Sequence, residues 1–444
     1  MKPYPKYKQS GIAWLDAIPE HWAILRGDWV LNMEKTTIAK EQLQGKEVFH
    51  YSIPSIQEYG TGLVENGSEV DSNKSLITGN ELLVSKLNPR KGMVLISEPK
   101  EQLTVCSTEF VVLIPEKIDL RYAYYLYLSH PTRERISATV QSATYSHQRA
   151  NPADIFKMWN AFPTIPEQQA IARYLDDRTK KIDTLIDKKQ RMIELLKQQR
   201  TAIINQAVTK GINPNAKMKD SGIEWIGEIP EHWQIKRLKY TSRTISKGTT
   251  PSTIGRETIP SGSVRFIKAE NIVNNEIKEE PAFFIDEETN RSLARSQLEE
   301  NDILFVIAGA TIGKVAVLKR ALMPANTNQA VCFVRLKHSE NHAFIWYWLQ
   351  SSRIDELTWL DAVQSAQPNL SMESLGNFYL AHPPSDEQHE IVRVVKSSLS
   401  TIADTVKRIE HEILLLQEYR TALISEVVTG KIDVRPYANP EEEA

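Results

Sequence analysis

Ser10-Gly11-Ile12-Ala13-Trp14-Leu15-Asp16-Ala17-Ile18-Pro19-Glu20-His21-Trp22 is written twice in this chain. It returns 211 positions later as Ser221-Gly222-Ile223-Glu224-Trp225-Ile226-Gly227-Glu228-Ile229-Pro230-Glu231-His232-Trp233. Each copy opens a half of the chain, and each half closes on a second matching stretch. The first runs from Glu167-Gln168 through Arg200-Thr201-Ala202 to Val208-Thr209. The second runs from Glu387-Gln388 through Arg420-Thr421-Ala422 to Val428-Thr429. The repeating unit is much longer than the roughly 20–50 residues of a solenoid repeat. It predicts approximate twofold symmetry within one polypeptide, and hence a target with two related halves.

The closing stretches read as long helices. Glu167 to Thr209 contains no Pro or Gly, with Pro163 and Pro166 before it and Gly211 and Pro214 after it. Helix formers dominate. Ile171, Leu175, Ile182, Leu185, Met192, Leu196 and Ile203 step at heptad-like intervals, interrupted by Lys189 and Gln199. Ile391, Val395, Ile402, Ile409, Leu416, Tyr419 and Leu423 repeat the phase, interrupted by Ser398, Thr405 and Glu412. Both stretches predict coiled-coil helices with imperfect heptads. A helix of ~43 residues is ~65 Å long, and an apolar stripe of that length needs a partner. The other copy is the simplest one, paired antiparallel.

Between the helices lie two β-rich inserts, about residues 23–165 and 234–384, that share a rhythm but few identities. Asn80-Glu81-Leu82-Leu83-Val84-Ser85 matches Asn301-Asp302-Ile303-Leu304-Phe305-Val306 as a polar turn feeding a strand. A Gly-containing loop and another strand follow at Lys91–Ile96 and Gly313–Leu318. Aromatic helices come next at Tyr122–Leu128 and Phe344–Leu349. A constant frame with divergent inserts suggests one scaffold with two recognition surfaces. The acidic tail Glu441-Glu442-Glu443 is expected to be disordered.

The 444 residues allow two or more domains, and 25% charged with 41% hydrophobic residues is ordinary for a globular protein. No apolar run reaches membrane-spanning length, and Met1-Lys2-Pro3-Tyr4-Pro5 lacks the apolar core of a signal peptide. Cys106 and Cys332 sit one in each half in strand-like runs, which reads as buried thiols in a reducing cytoplasm. A net charge of −2 is low for a lone DNA binder. Local segregation of charge, or a partner's basic surface, would reconcile the two.

Catalytic motifs are missing from the sequence. Ala308-Gly309-Ala310-Thr311-Ile312-Gly313-Lys314-Val315 mimics a phosphate loop, but Ala308 replaces the first Gly and Val315 the magnesium-binding hydroxyl. A strand also follows where a helix should begin. No Gly-rich dinucleotide fingerprint follows a strand, and the ten histidines and two cysteines make no metal-ligand spacing. His21 and His232 repeat, and each reads as a His packed beside a Trp at a structural corner. Neither the Asn-Pro-Pro-aromatic tetrapeptide of amino-methyltransferases nor a paired-carboxylate nuclease cluster stands in the chain. What remains is an inert scaffold that recognises something.

The repeated opening, the turn Gly248-Thr249-Thr250-Pro251-Ser252, the block Asn301–Leu304 with Ile312–Ala316, and the Pro-x-x-x-Glu-Gln helices that carry Arg-Thr-Ala resemble the specificity subunits of type I restriction-modification enzymes. The resemblance spans essentially the whole chain in two copies. It implies an α+β fold of two globular target recognition domains separated by two long antiparallel coiled-coil helices. The implied organisation is a first recognition domain with the N-terminal repeat motif over 1–165 and a central conserved spacer helix over 166–211. A second recognition domain over 212–384, a C-terminal spacer helix over 385–435 and a tail over 436–444 complete it. The resemblance further implies no catalysis and no cofactor in this chain. Double-stranded DNA is the target, read as two unlike half-sites. Two modification subunits would carry S-adenosylmethionine, and restriction subunits would bring ATP and Mg.

Base reading needs Arg, Lys, Asn or Gln on a surface element. In the first half the candidates are Asn88, Arg90 and Lys91, then Tyr145, His147, Gln148 and Arg149. In the second they are Lys247, Thr249 and Thr250, then Thr311 and Lys314, Asn328 and Gln329, and Gln364, Gln367 and Asn369. Two other readings compete: a coiled-coil adaptor with two protein-binding heads, and an enzyme carrying its own methyltransferase or nuclease centre.

Overall fold

The computed structural model describes residues 2–34, 36–140, 148–362 and 368–437. The chain divides into two compact units. Unit 1 joins Met1–Lys189 with Glu410–Ala444, and unit 2 is Gln190–Ile409. The boundary therefore falls inside both long helices, Ile165–Thr209 and Ser385–Val428.

Each unit is built on the same sheet. In unit 1 four strands run in the order Leu31–Glu34, Phe110–Pro115, Leu82–Ser85, Val94–Ile96. In unit 2 the order is Ser242–Lys247, Val331–Leu336, Ile303–Val306, Val315–Val317. Registers match as well: Phe110 pairs with Ser85, and Val331 with Val306. A second sheet in each unit contains a parallel pair, with Leu103 opposite Val48 and Ala325 opposite Arg265. Aromatic helices Leu120–Leu128 and His342–Leu349 cover the sheets, as their sequence predicts.

The polar turns that lead into the central strands are repeated in detail. Asn80 and Asn301 both adopt the left-handed conformation, at φ 66° and 67°, which Asn tolerates better than most residues. The acid that follows each is buried and satisfied. Glu81 accepts from Ser97 Oγ, from the Thr78 hydroxyl and from the Thr78 and Gly79 amides. Burial alone would raise its carboxyl, but those hydrogen bonds hold it below the usual range. Asp302 is gripped side-on by Arg335, at 2.9 Å from Nε and 2.7 Å from Nη2.

Each unit's core takes half of both long helices. In unit 1, Ile171, Leu175 and Ile182 share a cluster with Leu423, Ile424 and Val427. In unit 2, Ile204 and Val208 share one with Ile391 and Val395. The pairing within unit 1 is antiparallel. Asp183 meets Arg420, and Lys189 meets Glu412, so numbers rise on one helix as they fall on the other.

The expected heptad holds along the second helix, where Ile391, Val395, Ile402, Ile409 and Leu423 are buried and Leu416 is partly so, and breaks at Leu185 and Met192 on the first. Buried isoleucines also recur at a longer interval, on the first helix at Ile171, Ile182, Ile193 and Ile204. On the second, Ile391, Ile402 and Ile424 are buried and Ile413 is partly so. The interval is eleven. Eleven residues in three turns is close to the α-helix's own ~3.6 per turn, whereas a heptad drifts by ~20° each repeat. Leu185, Met192 and Tyr419, expected in the seam, are about half-exposed. Ile186 and Ile193 take the inward positions instead.

Candidate nucleic-acid interface

The repeated opening motif is a clamp on the helix ends. In unit 1, Glu167 on the first turn of its helix accepts from Tyr4 Oη at 2.8 Å and Trp22 Nε1 at 3.2 Å, and pairs with His21 Nε2 at 2.8 Å. The indole of Trp22 packs on Gly430, just past the end of the other long helix, where a Cβ would lie 3.1 Å from the ring and 2.4 Å from Pro19. Unit 2 repeats this with the helices exchanged. Glu387 bonds His232 Nε2 at 2.7 Å and Trp233 Nε1 at 3.0 Å, and Gly211 sits against the Trp233 ring. His21 and His232 are thus fixed in structural corners, as their sequence context suggested. Among the described residues no group of His, Cys, Asp and Glu could hold a metal ion.

With the frame clamped, one edge of each central sheet gathers the sequence-predicted polar residues. In unit 1 the chain leaves strand Leu82–Ser85 into the loop holding Asn88, Arg90 and Lys91. The Lys86 amide donates to the Glu109 carbonyl, the Asn88 amide to Gln148, and the Ala150 amide to Lys86. Leu87 and Arg149 form a bridge. Asn88, Arg90, Lys91, Gln148 and Arg149 therefore lie together. Asn88 is left-handed at φ 48°, and Arg90 and Lys91 are exposed. Gly92 closes the loop over Arg133, whose Nη1 donates to the Arg90 carbonyl at 3.2 Å.

Unit 2 repeats these bonds residue for residue. The Ile307 amide donates to Ala330, Gly309 to Pro368 and Leu370 to Ile307, and Ala308 bridges Asn369. Thr311 and Lys314 lie in the loop that follows Ala308. The turn holding Lys247, Thr249 and Thr250 joins the same edge. Its Thr249 amide donates to Thr327 O at 3.1 Å, and Thr250 Oγ1 bonds the Gln329 side chain. The Asn328 side chain accepts from the Ala330 amide at 3.2 Å and is partly spent on its own turn. Tyr145, His147, Gln364 and Gln367 lie outside the described residues.

Gly248 explains why this turn requires glycine. A Cβ there would stand 2.0 Å from Thr327 O, a backbone atom that cannot rotate away. Gly248→Ala should cost unit 2 about 1–3 kcal/mol or more and pull Thr249 and Thr250 off the edge. Urea unfolding monitored by far-ultraviolet circular dichroism checks this. An unchanged midpoint would mean that the turn accommodates the methyl.

Sequence reading missed Glu109. Its carboxylate holds Arg149 through Nε at 3.0 Å and Nη2 at 2.9 Å. The repeat spacing marks its position, since Glu109 stands 221 positions before Ala330 as Ser85 does before Val306, but no local signal ties it to Arg149.

A duplicated frame that presents two unlike polar edges defines a two-headed recognition scaffold. The type I restriction modification DNA specificity domain matches residues 20–195 and again 230–415, and the chain belongs to that family. It is similar to the type I restriction enzyme MjaVIII specificity subunit of Methanocaldococcus jannaschii, 23% identical over 427 residues and covering 94% of both chains. It also resembles the EcoBI specificity subunit of Escherichia coli, 25% identical over 343 residues, 73% of this chain and 69% of that one. The fold is similar to a chain from a structure describing complex assembly and conformational transition of the type I R-M system. That match has a TM-score of 0.73 at 14% identity, covering 94% of this chain and 99% of that one. It also matches the HsdS subunit from Thermoanaerobacter tengcongensis, with a TM-score of 0.52 at 15% identity, covering 94% and 98%. No helix among the described residues is long and apolar enough to cross a membrane.

Proposed function

We propose that the chain is the sequence-reading subunit of a type I restriction-modification complex, with no chemistry of its own. Unit 1 reads one half-site of a split, asymmetric DNA target and unit 2 reads the other. Two modification subunits, carrying S-adenosylmethionine, methylate adenine where this chain places them. Restriction subunits, using ATP and Mg, join the same assembly in the cytoplasm. The observation that carries this reading is the matched pair of polar edges, identical in backbone bonding and different in side chains. Identical backbones supply the same approach to DNA, and different side chains supply different base preferences. Partner subunits would supply much of the phosphate neutralisation that a net charge of −2 does not. A coiled-coil adaptor with protein-binding heads accounts for the charge but not for the family match.

The test is co-expression with the modification subunit, followed by single-molecule sequencing of host DNA for methyladenine. A split, asymmetric methylated motif that needs both chains is the expected result. A stable complex that leaves host DNA unmethylated and shows no DNA sequence preference would end this reading.

A further inference from the structure

Arg149 and Asn369 occupy the same place in the repeated frame. Each is bridged to the loop leaving the central strand. Each is exposed between a half-buried and a buried neighbour, and each stands two residues before the N-cap of a short helix, Asn151 in one unit and Ser371 in the other. The residue opposite differs too. Glu109 in unit 1 corresponds to Ala330 in unit 2, each accepting the amide of the residue that leaves the strand. Glu109 holds Arg149 side-on through Nε and Nη2, whereas Ala330 has no polar side chain to offer Asn369.

A side-on grip fixes the plane of a guanidinium without consuming it. Nη1 and the second hydrogen of Nη2 form the other, end-on edge of the fork. The Arg149 side chain is 57% exposed while Glu109 is 22% exposed, so the carboxylate lies beneath and the guanidinium faces outward. An end-on guanidinium matches O6 and N7 of guanine, and an Asn amide matches N6 and N7 of adenine. Pre-orienting the Arg reduces the side-chain entropy lost on binding. It also neutralises a carboxylate that would otherwise repel phosphate.

We propose that Arg149, positioned by Glu109, reads a guanine in one half-site, and that Asn369 reads an adenine at the corresponding place in the other. This rests on the DNA-reading function proposed above. Glu109 acts through Arg149 and is a positioning residue.

The test uses the full chain in complex with its modification subunit, and duplexes of the methylated motif each altered at one base pair. Wild-type complex should disfavour replacement of that guanine by about tenfold or more. Arg149→Ala should lose this discrimination at one position and keep the other half-site's preferences. Glu109→Gln should weaken discrimination at the same position. A merely structural role would instead lower binding to every duplex alike. Asn369→Ala should relax one A·T position in the other half-site. Unchanged discrimination in the Arg149 and Asn369 variants, or a uniform loss over all duplexes, overturns the proposal and leaves DNA reading standing. A wild-type complex with no preferred sequence overturns the reading beneath it.

Discussion

Glu167→Ala should destabilise unit 1 by about 3–5 kcal/mol, and Glu387→Ala should cost unit 2 only about 1–3 kcal/mol. Glu167 is 5% exposed and answers three donors, on Tyr4, His21 and Trp22. Its loss leaves the buried Trp22 N–H and Tyr4 hydroxyl without the carboxylate that accepts them. Glu387 is 23% exposed and answers two donors, so solvent can replace part of what it does. Each unit carries its own reporter. Cys106 in unit 1 and Cys332 in unit 2 are fully buried, and burial pushes both thiols up to about 12. Labelling therefore waits for the local core to open. Glu167→Ala should speed Cys106 labelling by roughly a hundredfold or more and change Cys332 much less, with Glu387→Ala doing the reverse more weakly. Equal acceleration of both thiols by Glu167→Ala would mean that the clamp stabilises the chain as a whole rather than its own unit.

The clamp shows where sequence reading succeeds and where it stops. The duplication, the long helices, the central strands and the aromatic helices were legible because each is a local pattern: period, punctuation or identity. The link from Trp22 to Glu167 was not legible. It joins two repeats that each announce themselves, but nothing local says that they touch. The heptad assignment slipped at Leu185, Met192 and Tyr419 for a related reason. Leu185 and Met192 satisfy a seven-residue count as well as Ile186 and Ile193 do, and only packing selects the isoleucine pair. At the polar edge, residue type picked out Asn88, Arg90, Lys91, Gln148 and Arg149, which the fold brings together. Glu109 escaped because an acid is the wrong residue type for binding phosphate. Its role appears only once Arg149 is seen against it.

Insertion of four residues into each long helix at the unit boundary should shift the unspecified spacer of the methylated motif by one or two base pairs and leave both half-sites unchanged. The boundary, between Lys189 and Gln190 and between Ile409 and Glu410, lies inside both helices. Each core is made from its own helix halves, so neither polar edge is disturbed. Four residues add ~6 Å at 1.5 Å per residue, against ~3.4 Å per base pair of DNA. They also advance the helix by ~40° beyond a full turn, comparable to the rotation of one base-pair step at 10–10.5 per turn. Eleven residues make the contrasting case. They preserve the buried stripe and add ~16 Å, roughly five base pairs, but turn the helix by only ~20°. Five base pairs carry a half-site about halfway round the duplex, where a head turned so little no longer meets it. The eleven-residue chain should fold as well as its parent and methylate nothing, while the four-residue chain methylates a lengthened motif. Sequencing methyladenine in cells expressing each chain with the modification subunit decides the matter. An unchanged spacer in the four-residue chain would mean that the helices do not set the distance read on DNA.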